Sequence, residues 1–444
     1  MIDFSLSPAQ AAVSKNTREF AAALLKDARS KYVTIPNGPE RFQSTRPIIE
    51  QATALGLTKG FIPPALGGTS GSLVDSCLAV EELYAVEPSV ALTLLANGLG
   101  LTPLILGGSP EQQREFLAPF LTSSGSPLAS LVFSEPGGSA NFFEPGGKGM
   151  QTTASFDDSK QEWILNGDKI WGTNCAGWDF NGADLQVVAC RSVVPESAST
   201  PTLTPHSDSA MLLLVTRDLI NRNSAGSYTV IRHIETPGHT ACSGPHIRFS
   251  NLRVPASCVL AAPGSLAAQT LINATFTSSA VIVGAMSVGV MRAVFESAYH
   301  FARTHNAGGS TDSLLERQSV ADLLIDIKMR VEAARTLTWK AAHGLQSRQH
   351  GAEELAHEAK IWCSEAAVRC CTDAMKVVGI SSYSQEYPLQ TYMADALVLP
   401  IFDGGNVGIR RRQIQRLFLE KGYEPWAASL GAREEANGAE KEGD

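Results

Sequence analysis

At 444 residues the chain is long enough to bury a large core and to divide into two or three domains. Its 44% hydrophobic content is that of an ordinary soluble protein, and a formal net charge of −8 argues against a general nucleic-acid binder. Eight cysteines without a Cys-x-x-Cys pair read as reduced thiols, neither a disulfide frame nor a zinc site, and no metal is expected.

Residues 1–126 read as a helical domain. The chain has no basic residue before Lys15 and no early apolar stretch, so neither a secretory nor a transit peptide is expected. The last residues, Glu442-Gly443-Asp444, are not a peroxisomal address, and a cytoplasmic protein is the expectation. Ser7-Pro8-Ala9-Gln10 and Ser109-Pro110-Glu111-Gln112 each place Ser at N-cap, Pro at N1 and Gln at N3, the pattern of a capping box. The Gly/Pro cluster from Ile62 to Gly68 separates helices.

Over 127–259 the period becomes strand-like, predicting a small antiparallel barrel or sandwich. Strands are expected near 128–133, 185–191, 211–216 and 228–234. Asn166-Gly167, between Trp163-Ile164-Leu165 and Asp168-Lys169-Ile170-Trp171, predicts a type I′ hairpin. The Ser/Thr/Pro-rich stretch 193–209 predicts a surface loop. The segment Leu131-Val132-Phe133-Ser134-Glu135-Pro136-Gly137-Gly138-Ser139-Ala140-Asn141 is a strand running into a Gly-rich turn. Its amides and hydroxyls could hold an anion or an electron-rich ring, or simply make a turn. Trp171-Gly172-Thr173-Asn174 follows the Asn166-Gly167 hairpin signal.

Residues 260–427 return to a helical period and predict an antiparallel four-helix bundle. The apolar run 280–291 is too short to span a bilayer, and no membrane is expected as a partner. Phe276 and Ser279 share a helical face and can point at one cavity, although a serine there can equally bond back to its own helix. Val320, Leu324, Ile327, Val331 and Ala334 mark a buried stripe. His343, His350 and His357 recur every seven residues, roughly 10 Å apart on a helix, too far for one metal ion, and read as a polar face. Residues 428–444 are read as a tail, disordered at least from Arg433.

The segment Ile401-Phe402-Asp403-Gly404-Gly405-Asn406 leads into Arg410-Arg411-Arg412-Gln413-Ile414-Gln415-Arg416. Apolar neighbours disfavour the charged form of Asp403, while Arg410 and the amides of a helix starting near Asn406 favour it. That balance suits a general base, and a mere helix cap is the alternative. Of the three consecutive arginines one is expected to face the site and the others solvent or a subunit, because adjacent helical positions diverge by about 100°.

These segments together resemble the acyl-CoA dehydrogenase superfamily. Its members carry a Glu-Gly-Thr loop before a Gln-Ile-Gln-Arg helix, a Thr-Glu-Pro-x-Ala-Gly-Ser-Asp flavin loop and a Trp-Ile-Thr-Asn segment. Here Asp403 replaces the Glu, several additional residues precede Gln413, Ser134 replaces Thr and Asn141 replaces Asp. The Asp and its spacing to Arg410 are similar to the superfamily's fungal nitroalkane-oxidising branch. The resemblance implies an FAD enzyme with an N-terminal helical domain, a central β domain and a C-terminal bundle, assembled as a homotetramer. It implies Asp403 as base, with Arg410 and Ser279 holding it, and Phe276 and Phe402 lining the substrate channel. Leu131, Phe133, Ser134, Gly138, Ser139, Trp171, Thr173, Asn174, Gln318, Gly404, Gly405 and Asn406 would hold FAD, with Thr173 bonding flavin N5. Gln318 and one of Arg303 or Arg317 would serve a neighbour's pyrophosphate. The implied reaction takes a primary nitroalkane and O2 to aldehyde, nitrite and hydrogen peroxide, the nitronate attacking flavin N5. Acyl-CoA dehydrogenation, or oxidation of another carbon acid, uses the same base and is the alternative. No Gly-x-Gly-x-x-Gly or P-loop occurs, which disfavours a Rossmann flavoprotein. A non-catalytic nucleic-acid-binding relative is disfavoured by the net charge.

Overall fold

The computed structural model describes residues 4–144, 148–193, 209–306 and 308–431. Most of the loop expected at 193–209 and the tail from 432 onward lie outside the described residues.

Seven helices come first: α1 (Pro8–Phe20), α2 (Ala28–Tyr32), α3 (Gly38–Ser44), α4 (Arg46–Ala54), α5 (Leu73–Tyr84), α6 (Pro88–Gly107) and α7 (Pro110–Leu117). Both expected capping boxes form, the Ser7 and Ser109 hydroxyls each accepting from the N3 amide of the following Gln. The centre of the chain is an eight-stranded sheet: β1 (Ala129–Val132), β2 (Thr153–Asp157), β3 (Glu162–Lys169), β4 (Leu185–Val193), β5 (Ala210–Val215), β6 (Tyr228–Arg232), β7 (His246–Pro255) and β8 (Val259–Ala261), with the short α8 (Arg217–Arg222) after β5. Its order is β6-β7-β3-β2-β4-β5-β8, with β1 added beside β4.

The sheet is mixed, not purely antiparallel. β1 runs parallel to the first half of β4, pairing Ala129 with Leu185 through Val132 with Val188. β2 runs parallel to its second half, pairing Thr153 with Arg191.

Asn166-Gly167 does not turn the chain. β3 continues through it, and the register against β7 shifts between Leu165 and Gly167, a β-bulge. Gly167 adopts φ 137°, and a Cβ there would sit 2.6 Å from Thr152 Cα, just before β2. Hairpin turns and bulges both call for glycine at positive φ, so the dipeptide serves either.

The last part holds α9 (Ala267–Thr304), α10 (Gln318–Gln346), α11 (Ala352–Val378) and α12 (Leu389–Val398), then α13 (Arg411–Phe418) and α14 (Ala427–Leu430). The 280–291 run is the middle of α9. Both α6 and α9 are long and apolar enough to cross a membrane by length and composition, but their apolar windows are 56% and 72% buried inside the fold. They serve here as core helices. On α10 the stripe Leu324, Ile327, Val331 and Ala334 is buried as expected, with Val320 half-buried.

α5 is clamped to the bundle by buried charge. Glu82 bonds Arg18 of α1 at 2.7 Å and Arg292 of α9 at 2.6 Å, while Glu81 bonds Arg292 at 3.0 Å and Arg335 of α10 at 2.8 Å. Burial pushes the Glu82 carboxyl up, but its bonds from Arg18, Arg292 and Ser14 outweigh that and lower it from 4.5 to about 2. Because the folded value is depressed, this contribution is fully present above about pH 4.5 and is lost as pH falls towards 2. Urea denaturation at pH 5 and pH 3 is expected to show a smaller acid loss of stability in Glu82→Gln than in the parent. Equal losses in both proteins would show that the clamp does not drive the acid sensitivity.

Candidate active site

After α12 the chain makes a turn in which Asp403 and Gly404 both have positive φ, 53° and 75°. Asn406–Arg410 then form one wide helical turn that feeds α13. The turn folds Asp403 back so that its own carbonyl accepts from Arg410 Nη2 at 2.6 Å. A Cβ on Gly404 would lie 3.0 Å from Arg410 Nε, a tight contact, and the positive φ is what favours glycine here.

The Asp403 side chain is 8% exposed. Its oxygens lie 2.9 and 2.7 Å from the Ser279 hydroxyl on α9 and 3.4 Å from Arg410 Nη2. Ser279 Oγ is also 3.0 Å from the Phe276 carbonyl, so both readings of this serine, helix-bonded and carboxylate-bonded, are met by one rotatable hydroxyl. The expected helix amides do not reach the carboxylate: those of Ile409 and Arg410 donate to Gly405 O, and that of Asn406 to Pro400 O. Asp403 is instead paired with Arg410 and hydrogen-bonded by Ser279.

Arg410 is fully buried, and burial pulls its pKa down against the opposing pull of Asp403. Nη2 also donates to Phe276 O at 2.9 Å. Nη1 faces His357 Nδ1 at 3.2 Å and Gln413 Oε1 at 3.4 Å.

His357 was expected on a polar face and is instead fully buried. α10 ends at Gln346 and Gly351, at φ 77°, starts α11, so the three histidines share no helix: His343 is exposed on α10, His350 lies in the link, and His357 turns inward on α11. One turn further on, fully buried Lys360 donates to Asn406 Oδ1 at 2.7 Å. Burial lowers Lys360 to about 7 even though Asp403 pulls it up.

The Asn406 amide nitrogen donates to Ser364 and Glu365, both at 3.1 Å. Its side chain is therefore occupied within the fold and is not free for a cofactor. Of the neighbouring arginines, Arg411 pairs with Glu365 at 2.9 Å, and Arg412 reaches across to Asn141 Oδ1 at 2.8 Å and to the Ala140 carbonyl. Arg412 thus grips the Gly-rich loop, a contact within the chain in place of the expected solvent or subunit contact.

That grip places the loop after β1 beside the Asp403 turn. Phe276 stands edge-on to Phe133 at 5.4 Å, with the Arg410 guanidinium 6.0 Å from its ring centre. Phe402 packs half-buried against the bundle core.

The loop is moored by the buried Glu135–Lys169 pair at 2.9 Å and by Glu135 accepting from the amides of Gln151 and Thr152. Burial raises the Glu135 carboxyl, but Lys169 and the two amides more than offset it and leave it below the ordinary value. Ile170 N donates to Ser134 O at 2.9 Å, joining the Gly-rich turn to the Trp171 segment. Trp171, at φ 65°, is 55% exposed. An exposed indole beside half-buried Thr173, Ser134 and Ser139, with open space above Gly138, fits a planar ring system with polar edges.

The remaining expected cofactor residues divide. Leu131 and Phe133 belong to the core, 7% and 8% exposed, so their side chains contribute packing. Asn174 is fully buried, and its Nδ2 donates to Thr93 O at 2.8 Å, a structural tie to α6. Gln318 is exposed at the start of α10, bonded to Asp322. Arg303, near the end of α9, is 24 residues beyond Ser279, roughly 36 Å along one helix. It and Gln318 are not brought to the Asp403 site of their own chain.

Residues 7–124 match the acyl-CoA dehydrogenase N-terminal domain family and residues 269–419 the acyl-CoA dehydrogenase C-terminal domain family. The chain is 51% identical to a nitroalkane oxidase of Podospora anserina over 97% of this chain and 99% of that one, and 44% identical to that of Fusarium oxysporum over 97% and 98%. The solved structure of the Podospora anserina nitroalkane oxidase superposes with a TM-score of 0.92, covering 97% of this chain and all of that one. An active-site mutant of a nitroalkane oxidase crystallised with 1-nitrooctane gives 0.93 at 43% identity, with the same coverage. The chain belongs to the acyl-CoA dehydrogenase superfamily, in its nitroalkane oxidase branch, and is a flavin-dependent oxidoreductase.

Proposed function

We propose that this protein oxidises primary nitroalkanes with FAD and O2, and that Asp403 is the base. The observation that carries the proposal is the Asp403 carboxylate itself: buried, 2.7 Å from Ser279 and 3.4 Å from a fully buried Arg410. The α-hydrogen of a nitroalkane is acidic because the nitro group takes up the charge left behind. An Asp403 oxygen takes that proton, Ser279 and Arg410 fix the carboxylate's orientation, and the rings of Phe276 and Phe402 exclude water from it. Bound FAD supplies the two-electron acceptor that O2 then regenerates. The sum is nitroalkane, O2 and water giving aldehyde, nitrous acid and hydrogen peroxide. Trp171, Thr173, Ser134 and Ser139 would hold the flavin ring. The roughly 36 Å between Ser279 and Arg303 supports a flavin site completed by a second subunit, as in a homotetramer.

Nitrite release with matching oxygen uptake is expected when the FAD-loaded protein meets a short primary nitroalkane in air. Absence of nitrite, together with turnover of an acyl-CoA by an artificial electron acceptor, would replace this reading with a dehydrogenase.

A further inference from the structure

His357 has no part in the proton transfer, yet it meets Arg410 on the side away from Asp403. A guanidinium has donors and no acceptor, so the ring nitrogen 3.2 Å from Nη1 must offer a lone pair. That fixes His357 as neutral with its proton on Nε2. Nε2 is turned towards Glu353, whose Oε1 lies 3.5 Å away, an electrostatic contact longer than a good hydrogen bond. The Arg410 fork is thus held on both sides: Nη2 by Phe276 O and the Asp403 carbonyl, Nη1 by His357 with Gln413.

We infer that His357 is a positioning residue that locks Arg410 in the orientation holding Asp403 for proton abstraction. The inference rests on the nitroalkane reading above. It concerns the deprotonation step alone, since a preformed nitronate has already lost the proton that Asp403 removes.

The test compares the FAD-loaded parent, His357→Leu and His357→Asn on a neutral nitroalkane and on its preformed nitronate. His357→Leu deletes the acceptor, whereas the Oδ1 of His357→Asn can occupy the place of Nδ1. His357→Leu is expected to lose on the order of tenfold to a hundredfold in kcat/KM on the neutral substrate, with nitronate turnover within about threefold of the parent. His357→Asn is expected to recover most of that loss. Equal losses on both substrates, no loss at all, or an Asn variant as impaired as the Leu variant would overturn the inference. A parent that turns over neither substrate would instead sink the nitroalkane reading. In that case a double-mutant cycle on thermal stability between His357→Leu and Arg410→Met judges the contact without substrate: coupling supports it and additivity overturns it.

Discussion

Asp403→Asn is expected to lower kcat/KM on a neutral nitroalkane by on the order of a hundredfold to ten-thousandfold, the range a positioned base contributes. The substitution keeps the size of the side chain and an oxygen that Ser279 can still donate to at 2.7–2.9 Å. What it removes is the negative charge and the site for the proton. Arg410 keeps its bonds to Phe276 O and the residue-403 carbonyl, so the fold should be retained at some cost in stability, and the Asn variant should still bind flavin if the ring is held, as proposed, by the β1 loop and the Trp171 segment. Retention of more than about a tenth of parental activity by a flavin-loaded variant would mean another group takes the proton. Lys360, lowered to about 7 and close enough for Asp403 to influence it, would be the first candidate.

The second large effect is expected at Arg410. Arg410→Met keeps much of the side-chain volume but withdraws the cation, leaving Phe276 O, Asp403 O and His357 Nδ1 without their donor. It also leaves a buried carboxylate with a hydroxyl as its remaining side-chain partner. Removing one member of a buried ion pair costs about 3–5 kcal/mol, because the other charge stays behind uncompensated. Urea denaturation is expected to register a loss of that size, with activity falling alongside. Arg410→Lys keeps the charge, but a single ammonium cannot reach acceptors on both sides, so partial recovery is expected. A Met variant within about 0.5 kcal/mol of the parent would show that Asp403 does not depend on this cation for its charge.

What the sequence made legible was local chemistry. A Ser-Pro-x-Gln string satisfies its own helix end, and the α10 stripe is set by helical period, so both could be read without knowing the fold. Asp403, Arg410 and Ser279 were legible through resemblance: 124 residues separate Ser279 from Asp403, and spacing alone could not join them. His357 was misread as part of a polar face and Lys360 escaped notice, because their chemistry is made by burial. A seven-residue rhythm of histidines looks like one helical face until the chain breaks at Gly351, and a lysine gives no sign in sequence that it will be enclosed. Asn166-Gly167 misled for a different reason, since a turn and a bulge make the same demand on the backbone. The parallel pairings were invisible because they join strands more than thirty residues apart.

Those parallel pairings have a consequence for how the Gly-rich loop after β1 is attached. β1 follows β4 from Leu185 to Val188, and β2 picks up the same edge, in the same direction, at Arg191. Topologically the two are one strand, opened at Val132 and closed at Thr153, with residues 133–152 as a detour. Such a detour can change length or composition without shifting the register of the sheet that carries it. The scaffold and the loop it carries can therefore diverge separately, one frame accepting different loops.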